Sequence, residues 1–82
     1  MKEKKEWLIV TFDTTTDAMR MEEEAKKAGI PGRIIPLPTQ ISAGCGLSWR
    51  AEPETSDELT AFMKDQGITY DQIVVIEGRS RV

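Results

Sequence analysis

The chain has one cysteine, Cys45, and it stands between two glycines in Ser42-Ala43-Gly44-Cys45-Gly46-Leu47. A thiol is a nucleophile as its thiolate, and thiolates pass sulfur by exchange. Neighbours without side chains leave such a thiol sterically open, and their N–H groups are free to steady an anion. A lone cysteine rules out an intramolecular disulfide. The absence of histidine removes the commonest general base and metal ligand. The chemistry open to Cys45 is therefore exchange with a partner molecule. The alternative is no chemistry at all, a small cysteine buried in a core. Ahead of it Pro36-Leu37-Pro38-Thr39-Gln40 is stiff, and the loop 36–44 exceeds the two to five residues usual for a hairpin. A long, stiffened loop suits presentation of a reactive group.

The elements that position this loop follow from pattern. Trp7-Leu8-Ile9-Val10-Thr11-Phe12 is β-branched and aromatic, a strand. Thr14 to Asp17 has capping-box spacing and opens a helix with Ala18, Met21, Ala25 and Ala28 on one stripe. Lys26 and Lys27 complement its C-terminal dipole, Gly29 stops it, and Pro31 prevents continuation. Arg33-Ile34-Ile35 is a short second strand ending at Pro36, and Leu47-Ser48-Trp49-Arg50-Ala51 alternates as a third. Thr55 to Glu58 repeats the capping-box spacing before a helix with Leu59, Phe62 and Met63 on one face, stopped at Gly67. Gln72-Ile73-Val74-Val75-Ile76 is the fourth strand, and the polar tail 77–82 reads as loose.

The two halves repeat at an offset of 38 residues, which aligns Gly29-Ile30 with Gly67-Ile68. Two interlocked βαβ units give an α+β ferredoxin-like sandwich, βαββαβ, with a four-stranded antiparallel sheet and two helices on one face. Its first and third strands are antiparallel neighbours, so Cys45 falls near Phe12–Thr16, at the start of the first helix. By period two it shares parity with Leu47, Trp49 and Ala51, facing the helices. The positive end of a helix favours thiolate over thiol. Cys45 is thus the candidate carrier and nucleophile. Gly44, Gly46, Ser42, Thr14 and Thr15 are candidate ligand-binding residues around it, although the threonine run also reads as helix capping.

At 82 residues the chain is a single domain, 1–82, with a core over about 6–77. Such a chain buries roughly 60–65% of its unfolded surface, enough to fold without staples. The charged start Met1–Glu6 and the short apolar run Leu8-Ile9-Val10 give no leader and no membrane span, so the reading is cytoplasmic, where a free thiol persists. A net charge of −3 with scattered basic residues argues against nucleic acid. No cofactor and no metal site is expected, since Met19, Met21 and Met63 sit in helical patterns and read as filler rather than copper ligands. Glu22-Glu23-Glu24 reads as a solvated helix face, and Trp49 as a core aromatic.

The strand 7–12 with Asp17-Ala18, the helix end Lys26-Lys27-Ala28-Gly29-Ile30-Pro31, the stretch Arg33-Ile34-Ile35-Pro36-Leu37-Pro38 and the motif Ser42–Leu47 together resemble the Putative Se/S carrier protein-like family over roughly residues 6–70. The resemblance implies a cysteine, here Cys45, that holds sulfur or selenium as a persulfide or selenosulfide between donor and acceptor proteins. Thr39 follows Pro38 where similar sequences carry a basic residue, which weakens anion attraction to this loop. Three readings result. The first is a carrier working through Cys45. The second is a dimeric small-ligand-binding or regulatory module, paired through apolar surface that Trp7, Ile9 and Ile35 leave on the open sheet face, in which Cys45 is not essential. The third is an intermolecular redox or copper role. With no acid–base constellation visible, the chain reads as a carrier or binding protein rather than a self-contained catalyst.

Overall fold

The computed structural model describes residues 4–41 and 44–79. Its elements run β1 (Lys4–Thr11), α1 (Thr15–Ala28), β2 (Arg33–Pro36), β3 (Leu47–Ala51), a 3-10 turn (Pro53–Thr55), α2 (Ser56–Gln66) and β4 (Gln72–Arg79). The sheet order is β2-β3-β1-β4 with every pair antiparallel, the expected ferredoxin-like α+β sandwich.

Local chemistry sets the boundaries. Thr14 is extended and its hydroxyl accepts from the Asp17 N–H, satisfying one orphan donor of α1. Gly29 ends α1 and Gly67 ends α2, each left-handed at φ 73° and 69°, where a side chain would be strained. The expected cap at Thr55 is not formed. Pro53 starts a 3-10 turn, and the Thr55 hydroxyl donates to the Glu52 carbonyl at 2.7 Å instead of capping α2.

Strand alternation divides the side chains into two layers. Leu8, Val10 and Phe12 of the first segment, Cys45, Trp49 and Ala51 of the third, Ala18, Met21 and Ala25 of α1, and Leu59 and Met63 of α2 form one core. Ala28, expected on that stripe, is exposed at the last turn beside Gly29. The helices are tied together by Arg20, whose guanidinium donates to the Gly67 and Gln66 carbonyls at 3.1 and 2.7 Å. It thereby satisfies the C-terminal carbonyls of α2 with a positive charge.

β4 is longer than the sequence suggests. Glu77, Gly78 and Arg79 continue the ladder opposite Glu6, Lys5 and Lys4, so the part of the tail read as loose is paired strand. Residues 80–82 lie outside the described residues. β4 is also an edge strand, and Val75, on the helix side opposite Leu8, stays exposed.

Candidate functional site

Cys45 precedes β3, whose first residue is Leu47, and the turn before α1 comes to meet it. An added Cβ on Gly44 would lie 3.0 Å from the Asp13 carbonyl oxygen, so the Gly44 backbone packs directly on the β1–α1 turn. The Cys45 Sγ accepts the Leu47 N–H at 3.3 Å. It lies 3.7 Å from the Thr15 hydroxyl, a hydrogen bond in which either atom can donate. Thr15 is the first residue of α1. The sulfur therefore sits at the start of the first helix and on the helix side of the sheet, as parity and topology require.

Its exposure differs from the expectation. Glycine neighbours suggest an open thiol, yet Cys45 is 4% exposed and belongs to the main core. Alternation fixes which face a residue takes, not its depth. Here the helix-side position drops the sulfur between Thr15 and the start of β3, while the glycines remain at the surface. A Cβ on Gly46 would meet nothing within 4 Å, so the space on that residue's own side-chain side is open. The Gly46 carbonyl accepts the Leu37 N–H at 2.9 Å, pinning the far end of the loop to its start.

The remaining candidates divide. Thr15 joins Cys45. The Thr14 hydroxyl caps α1 and makes its described hydrogen bond there. Gly44 and Gly46 flank the cysteine in the chain. Ser42 lies outside the described residues. The Leu47 N–H was missed by sequence reasoning, although a donor two residues beyond a thiol at a strand entrance is a recognisable local pattern. Among the described residues no group of three or more His, Cys, Asp or Glu is placed to hold a metal ion, and no helix is long and apolar enough to cross a membrane.

Trp49 is core, as expected, at 3% exposed, and its indole N–H finds no acceptor among the described residues. On the open face the expected apolar surface is reduced. Ile9 is 1% exposed, and Trp7 is half-buried with the Arg50 guanidinium 4.2 Å over its ring. At the Cys45 end of the same face Thr11 and Ser48 are fully buried. Thr11 accepts the Gln72 N–H at 3.1 Å, and Ser48 donates to the Ile35 carbonyl at 3.5 Å.

Over residues 7–75 the chain matches the family described as Putative Se/S carrier protein-like. It is also 32% identical over 74 residues to tRNA-specific adenosine deaminase 1 of Homo sapiens and of Macaca fascicularis. Those alignments take in 90% of this chain but 14% of the deaminases, so the chain spans only a small part of the curated relatives it matches. No solved structure matches it.

Proposed function

The chain belongs to the Putative Se/S carrier protein-like family, and from that membership we propose that it carries sulfur or selenium on Cys45 between a donor and an acceptor protein. The supporting observation is the placement of Sγ within reach of both the Leu47 N–H and the Thr15 hydroxyl, two donors able to hold an anionic sulfur. In the loading step the Cys45 sulfur attacks the terminal sulfur of a donor persulfide. A new S–S bond forms on Cys45, the donor's own S–S bond breaks, and the donor leaves as a thiol with the proton that Cys45 released. A donor carrying selenium in the terminal position gives a selenosulfide by the same exchange. The acceptor thiol then repeats the attack on the outer atom. The cytoplasm, where free thiols persist, is the compartment that suits this chemistry.

Incubation with a cysteine desulfurase and cysteine, followed by intact-mass measurement, tests the reading. One added sulfur atom is expected on the wild type and none on Cys45→Ser. A folded wild type that gains no sulfur refutes it.

The burial of Cys45 favours a second reading, the small-ligand-binding or regulatory module in which this residue only fills the core. Physiological activity that survives Cys45→Ser supports that reading over the first. Deamination, the activity in the name of the curated relatives, is not proposed. Zinc deaminases hold their metal with histidine and cysteines, and this chain has no histidine and one cysteine.

A further inference from the structure

Away from the thiol, on the opposite face and toward the other end of β1, the sheet has a shallow depression of about 260 Å³ lined by Trp7, Pro31, Gly32, Arg33, Arg50 and Glu52, among others. Two features of it are unusual. Arg33 and Arg50 are direct cross-strand partners in the β2–β3 ladder, and like charges directly opposite one another destabilise a sheet pair. Arg50 also lies over the Trp7 ring at 4.2 Å, which makes a flat aromatic–guanidinium platform in a half-buried setting. The protein is acidic overall, but Glu23 and Glu24 on α1 and Asp57, Glu58 and Asp65 on α2 belong to the helix layer, while Glu22 lines a neighbouring hollow with Gly32 and Arg33. The only acid in the depression, Glu52, has one carboxylate oxygen fully buried.

We propose that this depression binds a nucleotide, its base on the Trp7–Arg50 platform and its phosphate on Arg33. Guanidinium and indole planes both stack on nucleobases, as four-stranded sheets do when they take single-stranded RNA. The same chemistry is offered by a free nucleotide or by one residue of an RNA strand. The inference is independent of whether Cys45 carries sulfur.

The test uses the intact chain and proton–nitrogen correlation spectra, in which the indole N–H of Trp7 reports on the depression. Uridine monophosphate, a short oligouridylate and inorganic phosphate are titrated separately. The Trp7 signal is expected to move with a nucleotide, and Arg33→Ala, at an exposed side chain, is expected to weaken binding about tenfold. Much tighter binding of the oligouridylate assigns the site to RNA strands, and equal binding assigns it to free nucleotides. The proposal is overturned if neither nucleotide moves Trp7 at millimolar concentration. It is equally overturned if inorganic phosphate alone gives the whole shift, or if Arg33→Ala binds as tightly as wild type.

Discussion

Substituting alanine at three glycines separates two kinds of cost that are usually confounded. At Gly46 φ is ordinary and a Cβ would meet nothing within 4 Å. At Gly29 the space is equally empty but φ is +73°, so only backbone strain is added. At Gly32 φ is +128°, and a Cβ would lie 2.4 Å from Trp49 Nε1, 2.6 Å from its Cε2 and 2.7 Å from the Arg50 carbonyl oxygen. The indole is locked in the core and the carbonyl is part of β3, so neither can retreat easily. Gly46→Ala should change stability little, or raise it by about 0.4–1 kcal/mol through the unfolded chain. Gly29→Ala should cost about 1–2 kcal/mol for the left-handed backbone. Gly32→Ala combines strain of about 1–3 kcal/mol with overpacking of about 1–3 kcal/mol. The expected loss of roughly 4 kcal/mol is a large share of a typical 5–15 kcal/mol stability. For a domain of this size each kcal/mol moves the midpoint by about 4–8 °C, so its thermal transition should fall by roughly 15–30 °C. Urea unfolding followed by tryptophan fluorescence gives the free energies, and a thermal scan gives the midpoints. If Gly32→Ala proves no more costly than Gly29→Ala, the close approach of Trp49 to the Gly32 backbone is not what specifies glycine there.

Other expectations concern the site and the helix ends. Thr15→Val removes the hydroxyl 3.7 Å from Sγ and should slow sulfur loading of Cys45 several-fold, up to about tenfold, while leaving the thermal midpoint within a few degrees; a loading time course by mass spectrometry decides it. Thr14→Ala deletes the bond from the Asp17 N–H and should cost about 1 kcal/mol, read as a lower urea midpoint. Arg20→Ala frees the two carbonyls at the end of α2 and should cost about 1 kcal/mol at this exposed position. Arg20→Lys should restore only part of that loss, because the fork that reaches both carbonyls is gone.

Much of the architecture is written in local signals. Gly29 and Gly67 mark the helix ends because only glycine takes a left-handed cap without penalty, and the alternation of Leu47–Ala51 places Trp49 and Cys45 on the helix side. Three features are not local. The continuation of β4 through Arg79 rests on pairing with Lys4–Glu6, and one of those pairs, Glu6 with Glu77, joins like charges, so no nearby pattern announces it. Thr55 has the spacing of a cap but not the role, because Pro53 diverts the chain into a 3-10 turn that takes up its hydroxyl. The depth of Cys45 depends on where Thr15 and the β3 entrance settle in three dimensions. Parity supplies direction without distance. The two arginines of the open face are likewise scattered in sequence, 17 positions apart. Only the β2–β3 register sets them side by side, which is why the overall composition points away from an anionic ligand.

The pairing of Lys4 with Arg79 brings the entering and departing ends of the described chain side by side. They meet at the end of the sheet remote from Cys45, about eight strand residues or roughly 25 Å away at ~3.3 Å each. A fold whose two ends share one doorway can be spliced into a surface loop of a larger host without being pulled open. It can equally be tethered to a bead, a membrane anchor or a second enzyme from either end. In each case the edge that holds Cys45 points away from the attachment.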